Sequence, residues 1–117
     1  MKTLARVQTV GFADPKLLAA YHALESGTFE DRRLHSILAQ AVKTLKTNPE
    51  AGPKVPRPLW PRIYIQSHGI DNLRKLDLPD GWRLAYTLKG SRVEVVSVIL
   101  EWMTHKQYEK RFGYRVG

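Results

Sequence analysis

The sequence contains no cysteine among its 117 residues. A disulfide framework and thiolate metal ligands are therefore excluded, and the composition suits a reducing compartment. The chain also lacks any apolar run of the roughly 18–20 residues that a membrane-spanning helix needs, and its N-terminus has no signal-peptide core. We therefore expect a cytoplasmic protein without a membrane partner, folded as a single domain over residues 1–117.

Acidic residues are scarce, with 11 Asp and Glu against 19 Lys and Arg, which gives a formal charge of +8. The hydrophobic fraction of 43% and the three tryptophans indicate a folded globule rather than a disordered basic tail. The positive excess favours a polyanionic partner, with nucleic acid ahead of an acidic protein or a membrane surface. The alternative is a soluble protein that is basic without such a partner.

Several motifs of known chemistry are missing. The sequence has no Gly-rich phosphate loop, no nucleophile elbow and no dinucleotide-binding fingerprint. His22, His35 and His68 are scattered, without a paired HxxxH spacing or a nearby carboxylate cluster. We therefore expect neither a metal site nor a cofactor.

The first half of the chain has the pattern of a strand followed by two helices. Residues 5–10 alternate small or apolar with polar side chains, which predicts a short strand. Asp14, followed by proline, predicts the start of a helix that Gly27 ends. Thr28 begins a second helix, whose long apolar stripe stops at Asn48 before a proline. Two such amphipathic helices form a hairpin that must bury one face.

The middle of the chain is dominated by proline and by one hairpin. Five of the seven prolines lie within residues 49–61, which predicts a stiff, extended connector. Residues 60–65 have the pattern of a short strand or edge piece. The LPDG sequence at residues 78–81 predicts the turn of a β-hairpin whose arms lie within residues 72–86.

Two further strands and a helix complete the predicted fold. Residues 83–89 and 92–102 are strand patterns, and the second is apolar on both faces, as expected of a central strand. A capping box of Thr104 and Gln107 predicts a terminal helix that Gly113 ends.

The order of these elements predicts the α+β class. We expect a small antiparallel sheet of three to five strands, with the two-helix hairpin packed on one face and a short C-terminal helix. The other face of the sheet would then be partly open, and a ligand could bind there.

Basic side chains on the hairpin are the first candidate site. The alternation of the strand places its bulky residues on the helix side and Arg83 on the open face, where a guanidinium can hold a phosphate through two hydrogen bonds. Arg74 and Lys75 alternate on the preceding strand, so only one of them shares that face, and the sequence does not give the register. The alternative is that Arg83 is an exposed arginine on a solvated strand face.

The terminal helix carries the second candidate group. His105, Tyr108 and Phe112 lie at positions i, i+3 and i+7, hence on one side of the helix. Imidazole both accepts and donates a proton near neutral pH, while Lys106 and Tyr108 supply charge and a second proton relay. The alternative is that Tyr108 and Phe112 anchor the helix to the sheet and His105 is a surface residue.

The order and spacing of five segments resemble the RelE/ParE toxin superfamily over most of the chain, including the strand–helix–helix opening. These segments are the Asn48-Pro49 helix end, NLRKL at residues 72–76, WRLAY at 82–86, VVSVIL at 95–100 and HKQY at 105–108. The resemblance implies a small antiparallel sheet with two helices on one face. RelE-like members cleave mRNA without a metal, usually in the ribosomal A site, by attack of a 2′-hydroxyl on its own phosphate.

The resemblance also implies roles for individual residues. Arg83 matches the arginine of the R-x-x-Y strand, and Lys75 or Arg74 matches basic residues of the preceding strand. His105, Lys106 and Tyr108 match a basic and aromatic C-terminal cluster whose members act as acid, base or phosphate clamp. We therefore expect the catalytic residues to be Arg83, Lys75, His105 and Tyr108, and the RNA-binding residues to be Arg74, Lys106, Lys89 and Arg111.

The resemblance leaves a non-enzymatic function open. The ParE branch inhibits gyrase instead of cutting RNA, and a basic RNA-binding protein could use the same scaffold. Under the toxin interpretations, the expected partners are mRNA, with or without the ribosome, and an antitoxin. We expect the antitoxin to be an acidic, partly disordered protein that wraps the basic surface.

Overall fold

The computed structural model describes residues 6–113, which form a four-stranded sheet with helices on both faces. The strands have these bounds: β1 Val7–Phe12, β2 Arg74–Asp77, β3 Trp82–Gly90 and β4 Glu94–Thr104. The α-helices have these: α1 Pro15–Ala23, α2 Phe29–Thr47, α3 Arg62–His68 and α4 His105–Phe112.

The sheet has the order β1-β4-β3-β2, and the predicted α+β class is confirmed. The strand that is apolar on both faces, β4, is central as predicted. Strands β2, β3 and β4 are antiparallel neighbours, but β1 pairs with β4 in parallel, with Val10 beside Ser97. The sheet is therefore mixed rather than wholly antiparallel. Helices α1, α2 and α3 and strands β2 and β3 all lie between β1 and β4 in the chain, so no tight turn forces these two strands to run in opposite directions.

The helix boundaries follow the predicted caps. The Asp14 carboxylate accepts a hydrogen bond from the Leu17 N–H at 2.8 Å, and this contact begins α1. Full capping boxes begin α2 at Thr28 and α4 at Thr104. The first helix ends slightly earlier than predicted, because a 3₁₀ turn occupies the residues just before Gly27.

Helices α1 and α2 cover one face of the sheet, as predicted. The buried core on this face joins α2 to β3 and β4 through Leu34, Leu38, Ala41, Leu45, Leu84, Tyr86 and Ile99. Tyr86 also secures the proline-rich connector, because its hydroxyl donates to the Pro49 carbonyl at 2.7 Å and accepts from the Gly52 N–H at 2.9 Å.

The opposite face of the sheet is covered at one end and partly open at the other, where Lys89 is exposed and Val98 is half-buried. Helices α3 and α4 and the connector bury a second core at the covered end, made of Val55, Tyr64, Ile70, Leu73, Ala85, Leu100, Met103, Tyr108 and Phe112. The burial of Ala85 on this face and of Leu84 on the helix-hairpin face agrees with the predicted alternation of β3. Arg83 therefore lies at the covered end of this face, beside α4, rather than at its open end.

The strand expected at residues 60–65 is also wrong, because Arg62 to His68 form α3. Tyr64 points into the second core at 3% exposure, whereas its apolar neighbour Ile63 is 50% exposed. The connector already bonds the outer edge of β2, where the Val55 N–H donates to the Leu73 carbonyl at 2.9 Å. The connector thus occupies this edge of the sheet, and the helical hydrogen bonds of residues 62–68 satisfy the backbone of that segment instead.

Candidate functional site

The register of the hairpin decides which basic residue accompanies Arg83. Lys75 lies opposite Ala85, and Asp77 lies opposite Arg83. Directly opposed residues in an antiparallel pair share a face of the sheet. Lys75, Asp77 and Arg83 therefore project from the same face, and the question that the sequence left open is answered in favour of Lys75.

Arg74 projects from the helix-hairpin face, opposite Tyr86. Its guanidinium donates to the Gly52 carbonyl at 2.8 Å and lies 3.8 Å from the Glu50 carboxylate. The side chain is only 11% exposed. Arg74 thus joins the connector to the sheet and is not brought to the other predicted site residues.

Asp77 holds the two cations together. Its Oδ1 atom lies 2.9 Å from Lys75 Nζ and 3.0 Å from Arg83 Nε. We call these three residues the Lys75–Asp77–Arg83 cluster. Sequence reasoning missed Asp77, although its place two residues after Lys75 on a strand was enough to put both side chains on one face.

Tyr108 lies beside this cluster, inside the second core. Its ring stacks on Phe112 with centroids 4.2 Å apart, and Lys75 Nζ lies 5.5 Å from the Tyr108 centroid. At 4% exposure, Tyr108 anchors α4 to the sheet and also presents its ring to the ammonium group. A catalytic role for Tyr108 stays a prediction.

His105 is the exposed first residue of α4, next to the turn that joins β2 and β3. Trp82 pairs with Thr104, and the same register places His105 beside Gly81. A Cβ atom added to Gly81 would lie 3.2 Å from His105 Nδ1, so the imidazole rests against the turn. The turn therefore brings His105 to the end of the hairpin that carries Arg83.

An ion pair with α2 secures this turn. Arg33 Nε lies 3.0 Å from Asp80 Oδ2, and Arg33 Nη2 donates to Oδ1 at 3.4 Å. The hydrogen bond from Arg33 lowers the pKa of the Asp80 carboxyl. Asp80 has a φ of 61°, a left-handed conformation that is uncommon outside glycine. The bidentate contact stabilises this strained turn beside His105.

The remaining predicted RNA-binding residues are dispersed. Lys106 is exposed on α4 next to His105. Lys89 is also exposed, but it lies six residues beyond Arg83 on β3, about 20 Å away at the usual strand rise.

Arg111 belongs to a separate network on α4. Its Nη2 atom lies 3.0 Å from Glu101 Oε2, while the Tyr64 hydroxyl donates to Glu101 Oε1 at 2.5 Å. Burial and the neighbouring Glu101 carboxylate raise the pKa of Tyr64. Arg111 also lines a surface cleft of about 500 Å³ beside α4. The network ties α3 and α4 to β4.

Comparison with known proteins gives one positive result. A family model described as "ParE toxin of type II toxin-antitoxin system, parDE" matches residues 13–101. The matched region includes the Lys75–Asp77–Arg83 cluster and ends before His105. No curated protein and no solved structure matches the chain significantly. Within residues 6–113, no helix is both long enough and apolar enough to cross a membrane.

Proposed function

This chain belongs to the RelE/ParE superfamily of type II toxin–antitoxin toxins, and on that premise we propose that it arrests growth by cleaving mRNA without a metal ion. One observation supports this choice above the others. Lys75 and Arg83 are fixed on adjacent strands around one carboxylate oxygen, at the end of the hairpin where His105 also lies. Cations held rigidly in this way can stabilise the charge that develops on a phosphate.

The proposed reaction is a transfer within the RNA strand. The 2′-oxygen attacks the adjacent phosphorus, the bond from phosphorus to the 5′-oxygen breaks, and the products carry a 2′,3′-cyclic phosphate and a 5′-hydroxyl. The 2′-hydroxyl loses its proton to a base, and the leaving 5′-oxygen gains one from an acid. The net result is a rearrangement of bonds that needs no oxidant or other co-reactant.

Each residue has a distinct part in this proposal. Lys75 and Arg83 bind the non-bridging phosphate oxygens and offset the charge that builds up on them. His105 is exposed and transfers a proton in this proposal, because imidazole is the side chain that most often serves as a general acid or base. Tyr108 positions Lys75 through its ring, and the exposed Lys106 adds positive charge for the RNA backbone.

A toxin of this type implies an antitoxin partner. We propose that the antitoxin is an acidic, partly disordered protein that covers the Lys75–Asp77–Arg83 cluster and keeps RNA away from it. The other proposed partners are mRNA and the ribosome. Both would be met in the cytoplasm.

Inhibition of gyrase is the second candidate, and one observation favours it. The matching family model is described as a ParE toxin, and the matched residues stop at position 101, before α4 and its histidine. An inhibitor of this kind needs no proton-transfer residue. It would therefore tolerate the loss of His105, whereas the nuclease would not.

The deciding experiment is inducible expression of the wild type, of Arg83→Ala and of Arg92→Ala in bacteria, without the antitoxin. Arg92 is an exposed arginine at the opposite end of β3, in the turn before β4, and serves as the matched control. We expect the wild type and Arg92→Ala to arrest growth and cut transcripts, and soluble, folded Arg83→Ala to do neither. Growth arrest with DNA breaks and intact transcripts would favour gyrase instead. Normal growth with intact nucleic acids under wild-type expression would refute both candidates.

A further inference from the structure

The two cations of the Lys75–Asp77–Arg83 cluster are already bound to an anion in the free protein. A single oxygen, Asp77 Oδ1, accepts from Lys75 Nζ and contacts Arg83 Nε at 2.9 and 3.0 Å. These are the lengths of charge-assisted hydrogen bonds, and a non-bridging phosphate oxygen would make the same contacts. Asp77 Oδ1 therefore makes the contacts that the proposed function assigns to a phosphate oxygen of the RNA.

Solvent exposure shows on which side of the cations this carboxylate lies. The side chains of Lys75 and Arg83 are 25% and 24% exposed, whereas that of Asp77 is 57% exposed. Tyr108 lies on the protein side of Lys75, at the edge of the second core. The carboxylate is thus the outermost member of the cluster, and an RNA phosphate that approaches from water meets it first.

We propose that Asp77 acts as a built-in competitor that occupies, in the free protein, the position of the substrate phosphate between Lys75 and Arg83. This inference rests on the proposed function, because it takes the bound phosphate to be that of RNA. The carboxylate keeps the two donors close together and lowers the net charge of the cluster from +2 to +1. An RNA phosphate binds by displacing it.

Competition between Asp77 and phosphates for Lys75 and Arg83 makes a strongly basic chain more selective. With a formal charge of +8, the protein attracts any polyanion without regard to sequence. A carboxylate over the two cations weakens binding to stray phosphates, while a phosphodiester that is correctly oriented by the rest of the site can still replace it. Asp77 thereby favours productive contacts over nonspecific ones.

The variant Asp77→Asn tests this proposal in the full-length protein. The amide oxygen can still accept from Lys75 and contact Arg83, but the negative charge is gone. The matched control is Asp71→Asn, which changes the net charge equally at an exposed residue whose carboxylate accepts from the neighbouring Asn72. The probe is a short, fluorescein-labelled 2′-O-methyl RNA, which lacks the attacking hydroxyl and stays intact. Its dissociation constant is measured by fluorescence anisotropy over a range of salt concentrations.

We expect Asp77→Asn to bind the probe about threefold to tenfold more tightly than the wild type, and its salt dependence to be steeper by about 0.7 in log–log slope, as for one added phosphate contact on a single strand. Asp71→Asn should stay within about twofold of the wild type, since its charge lies away from the two cations. In cleavage assays, Asp77→Asn should lower KM more than it changes kcat. Asp77→Ser, which also removes the carboxylate, should shift binding in the same direction.

Equal or weaker probe binding by folded Asp77→Asn and Asp77→Ser would overturn the proposal, and so would an equal gain in Asp71→Asn. These results do not depend on catalysis. If the wild type cuts no RNA but Asp77→Asn still binds the probe more tightly with the steeper slope, the proposed nuclease function fails while the competing role of Asp77 stands. If the wild type cuts RNA but Asp77→Asn binds the probe no more tightly than the wild type, the nuclease function stands and only the proposed role of Asp77 fails.

Discussion

Asn72 and Leu88 are joined by two hydrogen bonds in which a side-chain amide acts like the backbone of a strand. Asn72 Nδ2 donates to the Leu88 carbonyl, and the Leu88 N–H donates to Asn72 Oδ1, both at 2.8 Å. Asn72 lies just before β2, so these bonds extend the contact between β2 and β3 beyond the paired residues. The asparagine of the NLRKL segment therefore has a structural role in the hairpin that carries the cluster.

Replacing Asn72 with alanine should lower the free energy of unfolding by roughly 1–3 kcal/mol, because both polar backbone groups of the partly buried Leu88 lose their partner. Urea unfolding of the purified variant measures this change. The control is Gln40→Ala on the exposed side of α2, which should alter stability by less than about 0.5 kcal/mol. Equal stability of the two variants would contradict the role of Asn72.

Gly81 should matter for the position of His105 as well as for the turn. Gly81 and Gly69 both have positive φ, at 79° and 55°, but only Gly81 has a ring within 4 Å of an added Cβ. Replacing either glycine with alanine should lower the free energy of unfolding by about 1–2 kcal/mol, because alanine is strained in the left-handed conformation. Only Gly81→Ala should also move the imidazole, which NMR spectra of the His105 ring would report. If both variants leave the ring signals unchanged, the contact between the turn and His105 is absent in solution.

His105→Gln tests the proposed proton transfer. The glutamine can form hydrogen bonds but cannot exchange a proton near neutral pH, so kcat for RNA cleavage should fall by about 10²–10⁴-fold. His22→Gln, at an exposed histidine of α1, is the control and should keep the wild-type kcat. An unchanged kcat in folded His105→Gln would assign the proton transfer to another group.

Tyr64 should make the protein less stable at high pH. Burial and Glu101 raise the pKa of the folded tyrosine, whereas the unfolded chain ionises near about pH 10. The contribution of protonated Tyr64 to the free energy of unfolding is therefore complete below about pH 10. It is lost as the pH rises further, and the free energy of unfolding then falls by up to about 1.4 kcal/mol per pH unit. Tyr64→Phe cannot ionise, so its unfolding free energy should fall less steeply between about pH 10 and 11.

Denaturant unfolding at several pH values compares the two slopes. Lysine titration and the other tyrosines contribute to both proteins, so the difference between the slopes isolates Tyr64. Parallel slopes would mean that the Tyr64 hydroxyl is not held in the protonated form by its contact with Glu101.

Much of the fold follows from interactions between residues that are close in sequence. The caps at Asp14, Thr28 and Thr104 and the LPDG turn all depend on groups within four residues of one another, and each forms as predicted. The alternation of β3 likewise placed Arg83 and Ala85 on the face opposite Leu84. Short-range hydrogen bonds and a fixed strand period suffice for such features.

The candidate site depends on long-range pairing, which the sequence does not encode locally. The choice of Lys75 over Arg74 required the register between β2 and β3, since a slip by one residue would exchange their faces. The approach of His105 to Gly81 likewise required the pairing of β3 with β4.

By itself, the sequence determined α1, α2 and α4, the hairpin and the basic character of this protein, because these arise from local backbone preferences and from composition. Only the tertiary structure decided that residues 62–68 form α3, that α3 and α4 cover part of the second face of the sheet, and that Asp77 lies between Lys75 and Arg83. The physical reason is that face coverage and ion pairing depend on which surfaces meet after folding. Residues that are far apart in the chain become neighbours only when the chain has folded, and their local sequence does not reveal this.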